Sequence, residues 1–327
     1  TKMADLRSVY LGLKLRNPLI ISSSGLTDQV SKIKKLEECG VGAVVLKSLF
    51  EEQILHEAGK MMDQADYPGA EDYLKVYTRN HSVSEYLKLI EDAKKETRIP
   101  IIASINCVST SEWIDFAKNI EQSGADALEL NIFYMPLNVG KSSADYETIY
   151  LDLASRVKET ITIPLAVKLG QHFTHPAGIV ERLYHRGIKG VVLFNRFYEP
   201  DIDLQHMHFK AADVFSTPSE LSHTLRWVGI VSSLVEKIDV AASTGVHNSE
   251  GVLKMILAGA KAVMMCSAIY KNGPEYIRKV VGEVNQWMEQ NNIKTIEELR
   301  GRLSYARLEN PSAYERAQFM KYFSALH

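Results

Sequence analysis

Five short apolar runs in this sequence end in side chains able to do chemistry. They close on Lys47-Ser48, on Asn106, on Glu129-Leu130-Asn131, on Lys168 and on Asn195. A lysine carried inward by an apolar run is costly unless it finds a partner. Two such lysines among several carboxamides therefore point to a pocket for an anionic or electron-rich ligand. The plainer alternative, one lysine paired internally with Glu129, serves any single position but not five run ends together. Two later runs close on Ser243-Thr244-Gly245 and Cys266-Ser267. Such small residues let a phosphate approach backbone N–H groups closely.

The elements that must bring these ends together are legible as a repeated unit: an apolar run, a polar turn, then an amphipathic stretch. The candidate strands are Leu19–Ser22, Ala43–Lys47, Ile101–Ile105, Ala127–Asn131, Leu165–Lys168, Val191–Asn195, Val240–Ser243 and Ala262–Cys266. Each is short and almost wholly hydrophobic, as parallel strands buried on both faces are. Ser111 is the expected N-cap of a helix over Glu112–Ser123, and Ser249 of one over Glu250–Ala258. Pro176 and Pro274 fit first-turn positions. Gly40, Gly124, Gly187 and Gly259 fall just ahead of strands, where helices must stop.

Eight strands with intervening helices predict an α/β fold, a (β/α)8 TIM barrel with long loops at its C-terminal mouth. A doubly wound open sheet is the alternative, but its phosphate turn would follow the first strand. That turn reads Ser22-Ser23-Ser24-Gly25, which is not a dinucleotide fingerprint. The connections Phe50–Ser82 and Phe197–Pro218 are long and read as lids or substrate walls. The expected organisation is one domain over 1–327, with a C-terminal helical extension over about 291–327.

The 327 residues, 46% hydrophobic content and formal net charge of -2 suit a globular chain with a full core. The charge balance offers no footprint for nucleic acid or an anionic membrane surface. The apolar runs are too short to span a bilayer. The stretch Thr1-Lys2-Met3-Ala4 lacks the apolar core of a secretory signal, and Cys39, Cys107 and Cys266 lack metal-ligand spacing. A reduced, cytoplasmic protein is the expectation.

The ordered set Asn17-Pro18, Ser23-Ser24-Gly25, Lys47-Ser48, Glu129-Leu130-Asn131, Pro164–Leu169, Ser243-Thr244-Gly245-Val246, Gly259-Ala260 and Ser267–Pro274 resembles the dihydroorotate dehydrogenases over nearly the whole chain. The resemblance implies FMN as a non-covalent cofactor and the oxidation of a dihydropyrimidine-like ring, with dihydroorotate first. It also implies pairing as a homodimer. Carried over by position, Ser23, Ser24 and Gly25 approach the flavin ring, and Lys47 and Ser48 flank ring and substrate. Asn106, Asn131 and Asn195 hydrogen-bond the flavin, and Lys168 sits at its N1–C2 edge. Ser222, Ser243, Thr244, Gly245, Cys266 and Ser267 form the phosphate side.

The substrate side departs from that pattern. The family follows Glu-Leu-Asn with a Cys or Ser base, whereas this chain reads Asn131-Ile132-Phe133-Tyr134-Met135-Pro136-Leu137-Asn138. Tyr134 takes the nearest position, as a base assisted by Lys47 or as a hydrophobic wall. The family's Asn-rich loop is not recognisable in Lys75–Ser84, although Asn80 lies near it, and Ser216–Ser222 replaces the usual glycine pair. Asn131, Asn138, Asn195 and Arg196 are the expected substrate contacts, Arg196 as an anion ligand or as a plug. His172, His175, His206 and His208 are set aside as metal ligands for want of a zinc spacing. Two rivals remain: a flavin-binding interaction module, and a flavin-free lyase or isomerase using the same phosphate site.

Overall fold

The computed structural model describes residues 4–50, 70–106 and 112–318, and of 70–80 and 112–113 the backbone alone. Eight parallel strands form a closed barrel: β1 Leu19–Ile21, β2 Ala43–Val45, β3 Ile101–Asn106, β4 Ala127–Asn131, β5 Leu165–Leu169, β6 Gly190–Leu193, β7 Asp239–Ala242 and β8 Ala262–Met265. Each pairs with its sequence neighbours, and β8 pairs with β1 to close the ring. All eight fall within or overlap the expected runs. Burial on both faces is what made them readable.

The helices around the barrel are α1 Val30–Glu38, α2 Ala70–Glu96, α3 Glu112–Gln122, α4 Ser143–Thr160, α5 Pro176–Tyr184, α6 Leu221–Leu234, α7 Ser249–Ala258 and α8 Tyr276–Gln290. Pro176 opens α5 as expected, whereas Pro274 lies in the turn ahead of α8. The α7 cap is Asn248, whose side chain accepts from Gly251 N–H; Ser249 is instead bonded to Glu283. Ser111 lies outside the described residues. Gly40, Gly124, Gly187 and Gly259 all take positive φ, as chain reversals at helix ends favour.

Two antiparallel hairpins were not expected. Ser8–Tyr10 pairs with Leu13–Leu15 through Leu11 and Gly12, both at positive φ, the signature of a tight primed turn. Its Tyr10, Leu11 and Leu15 join Ile20, Val45, Ile102 and Met264 in an apolar plug at the barrel base. Pro200–Asp203 pairs with His208–Ala211 inside the connection after β6, so that connection is a hairpin flap rather than an open loop. The second half of the connection after β2 is likewise the helix α2, which covers Ser82. Beyond α8 the described chain forms short helical turns at Ile296–Leu299, Tyr305–Arg307 and Ser312–Glu315. Arg300 is buried there and donates to Ser8 and to the Ala260 carbonyl, tying this stretch to the barrel base.

Strand register sets the barrel interior in layers. Ile102 faces Ala127, Ser104 faces Glu129, and Asn106 faces Asn131 across the β3–β4 ladder. Ala166 faces Glu129 and Lys168 faces Asn131 across β4–β5. With side chains alternating in and out, an apolar base layer is followed by a Ser104–Glu129 layer and then by an Asn106–Asn131–Lys168 layer at the mouth.

Candidate functional site

Two adjoining cavities occupy the mouth. One, of 350 Å³, is lined by Ser23, Ser24, Lys47, Ser48, Asn106, Asn131, Lys168, Asn195 and Arg196, together with Phe50, Phe133, Phe197 and Tyr198. The other, of 370 Å³, is lined by Ser243, Thr244, Gly245, Cys266 and Ser267, with Ser216 beside them. Ser23, Lys168, Asn195 and Arg196 line both. An elongated ligand with a planar end and an anionic end would therefore pass over Lys168.

The planar end is a polar floor under an aromatic wall. Asn195 Nδ2 donates to Asn131 Oδ1 at 2.8 Å. Ser48 is a hub: its N–H donates to Ser23 Oγ at 2.8 Å, and its hydroxyl lies 3.0 Å from Ser23 Oγ and 2.5 Å from Ser104 Oγ. Lys168 is only 6% exposed. Among the described residues its amine makes no hydrogen bond or ion pair. Phe133 and Phe197 stack with centroids 3.8 Å apart, and His172 lies parallel to Phe197 at 5.7 Å. The absence of a side chain on Gly170 makes this possible, since a Cβ there would fall 2.3 Å from the Phe197 ring.

The anionic end is built from backbone. Thr244 and Gly245 both have positive φ, and Thr244 Oγ1 donates to the Phe194 carbonyl. A Cβ on Gly245 would lie 2.4 Å from Leu221 N at the start of α6. Ser243–Gly245 is thereby pressed against a helix N-terminus, the place where backbone N–H groups and the helix dipole favour an anion. Ser267 Oγ accepts from Ser216 N–H, and Ser216 Oγ lies 2.9 Å from His247 Nε2. Burial and the nearby Lys271 ammonium push the His247 pKa down.

Four of the expected residues do not reach the cavities. Tyr134 is turned into the helix layer, its ring 5.9 Å from Tyr146 and its N–H bonded to Tyr150. Phe133 lines the mouth instead, because the inward alternation of Ala127, Glu129 and Asn131 runs on past the strand end. Asn138 is exposed and its side chain accepts from Gly140 N–H, shaping a surface turn. Ser222 is exposed on the first turn of α6. Gly25 lies under the Tyr270 hydroxyl. Arg196 does line both cavities, but Glu220 and the Val214 carbonyl hold its guanidinium.

Phe133, Phe197, Ser216 and His247 were missed. Phe133 was recoverable from strand alternation. Ser216 adjoins the capping box Thr217…Glu220, a sequence signature of a helix start. Cys107 and the side chain of Asn80 lie outside the described residues. Asp203, His206 and His208 group at the turn of the flap, with ligand atoms within 4.8 Å of one another, and both histidines are exposed. No helix among the described residues is long and apolar enough to cross a membrane.

A closed parallel barrel whose mouth joins a glycine-bearing turn at a helix N-terminus to a lysine- and asparagine-floored slot has its polar side chains where barrel enzymes build their sites. Residues 5–288 match the dihydroorotate dehydrogenase family, and the chain belongs to that family of oxidoreductases. It is 26% identical over 310 residues to dihydroorotate dehydrogenase B (NAD(+)), catalytic subunit, of Methanocaldococcus jannaschii, covering 90% of this chain and 97% of that one. It is 23% identical over 327 residues to chloroplastic dihydropyrimidine dehydrogenase (NADP(+)) of Arabidopsis thaliana, covering 91% and 76% of the two chains. The fold is similar to a crystal structure of DHODH from Eimeria tenella in complex with ferulenol, with a TM-score of 0.66 at 14% identity over 91% of this chain and 88% of that one.

Proposed function

We propose that this protein is an FMN-dependent oxidoreductase that oxidises a CH–CH bond in a dihydropyrimidine-like ring, with dihydroorotate the first substrate to test. The observation that carries the proposal is the adjoining pair of cavities sharing Lys168. Family membership and relatives whose names specify dihydroorotate or dihydropyrimidine add support.

The residues present fit FMN. The cradle at Ser243–Gly245, Cys266 and Ser267 offers the close backbone approach that a phosphate needs, and Lys168 offers a cation where an electron-rich ring would lie. Bound FMN would supply the hydride acceptor. The protein's share is binding, orientation and charge. Asn131 and Asn195, locked to each other, present fixed amide groups to ring or substrate. The Phe133–Phe197 stack gives the slot an apolar wall. Lys47, which faces the ring-side cavity as Tyr134 does not, adds a second cation beside ring and substrate.

The test is titration of the purified protein with FMN followed by a panel of dihydropyrimidines under anaerobic conditions. Saturable FMN binding with bleaching by one of the panel supports the proposal. A protein that binds no flavin contradicts it.

A further inference from the structure

Glu129 is the most deeply buried carboxylate at this site, 1% exposed, and neither of its oxygens has a hydrogen-bond partner among the described residues. A carboxylate in that setting holds its charge only against a nearby cation. The register puts it one layer beneath Lys168, on the neighbouring strand. Lys168 acts on it by charge, with no ion pair formed between them. One ammonium thus stands between a carboxyl below and the ligand slot above.

The other groups around Glu129 are neutral. Tyr10 comes up from the base hairpin with a buried, unpartnered hydroxyl. Tyr86 reaches in from α2, where its hydroxyl exchanges hydrogen bonds with the backbone of Ser104. Ser104 faces Glu129 across the ladder. Asp239, on β7, couples to Tyr10 rather than to Glu129. Burial raises the Glu129 pKa and Lys168 opposes the rise. A line of hydroxyls, Ser23 to Ser48 to Ser104, leads from the cavity wall down to the layer of Glu129.

We propose that Glu129 is a proton-coupled charge partner of Lys168: when negative charge is placed above Lys168, Glu129 takes up one proton from solvent. Lys168 cannot fully compensate two anions at once, so new charge above raises the proton affinity of the carboxyl below. In the holoprotein this rests on the FMN proposal. Bound FMN would accept a hydride as one substrate C–H bond breaks, the proton of the second C–H bond leaving to solvent as the double bond forms. Separately, a hydronium ion gives up the proton that forms the Glu129 O–H bond. Glu129 is a positioning residue for charge and touches neither flavin nor substrate.

The experiment compares wild type with Glu129→Gln, which keeps the shape and removes the titration. With FMN bound, the two-electron reduction potential is measured from about pH 5 to about pH 9. Wild type is expected to shift more steeply with pH, by up to one further proton. That is a tenfold change in the reduction equilibrium per pH unit, about 30 mV for a two-electron couple. The variant should be easier to reduce at high pH and should converge with wild type at low pH. Potentials that run parallel across the range, with FMN bound to both, overturn the inference.

The flavin-free protein supplies an independent arm. A carboxyl whose pKa is raised on folding stabilises the fold below its unfolded value, and this contribution is lost as pH rises through the folded value. Thermal stability of wild type should therefore fall relative to Glu129→Gln as pH increases from about 4. Parallel stability curves overturn the inference even if FMN binds. Failure of FMN to bind while the curves diverge sinks the functional proposal and leaves the titrating carboxyl standing.

Discussion

The side-chain amide of Asn195 donates to the side-chain oxygen Oδ1 of Asn131 at 2.8 Å, joining the end of β4 to the segment after β6 across the barrel mouth. The bond occupies one acceptor and one donor. It leaves the Asn131 NH2 and the Asn195 oxygen to meet a ligand in fixed orientation. Replacing Asn195 by Ala removes both the bond and the orientation. A net loss of about 1 kcal/mol, roughly fivefold in FMN affinity, is expected. Fluorescence titration of FMN reads it, and unchanged affinity would remove the pair from the binding account.

Tyr134 occupies the sequence position of the missing base and points away from the slot. Tyr134→Phe should therefore leave the rate of flavin reduction within about twofold of wild type, as for changes away from a site. Phe133→Ala opens the wall above the floor and should raise KM for substrate. Anaerobic stopped-flow reduction of both variants separates the two. A large rate loss in Tyr134→Phe would restore the phenol to the chemistry.

Gly245 carries the anion cradle. At φ +86°, with Leu221 N 2.4 Å from where a Cβ would stand, alanine brings backbone strain of about 1–3 kcal/mol. It also forces the cradle off α6. FMN affinity should fall by about tenfold or more, with a lower Tm for the flavin-free protein. An alanine variant that binds FMN normally would place the phosphate elsewhere.

Arg300 is buried where the chain after α8 meets the barrel base, bonded to Ser8, the Ala260 carbonyl and Glu297. Arg300→Ala should destabilise the protein by about 3 kcal/mol, because charge-assisted bonds are lost and Ser8 and Ala260 keep no substitute donor. The arginine holds the Glu297 pKa down, against burial. That part of the stability is present above the usual carboxylate range and disappears as pH falls through the lowered value. Denaturant melts of wild type and variant should accordingly draw closer at acid pH.

The barrel was legible because eight strands buried on both faces leave continuous apolar runs, and because the residues at their ends are polar for a reason. Lys47, Asn106, Asn131, Lys168 and Asn195 all line the same cavity. The hairpins escaped notice because their cues are conformational. Leu11-Gly12 is a turn only once both residues take positive φ, and the flap at 200–211 has few buried side chains to impose a pattern. The spacing of the motif points to Tyr134. The pleat decides instead which side of the chain faces the mouth, and it turns Phe133 inward. Ser249, the expected cap, is itself the first helical residue, so the capping role passes to Asn248 before it.

On the proposed function, the two cavities sharing Lys168 hold FMN in a form a dihydropyrimidine can reduce. The most direct measurement is anaerobic mixing of the FMN-loaded protein with dihydroorotate while the flavin absorbance is followed. Bleaching at a saturable rate, lost in Lys168→Ala protein reloaded with FMN, is the predicted result. Flavin that stays oxidised with dihydroorotate and every other dihydropyrimidine, yet bleaches with dithionite, would contradict it.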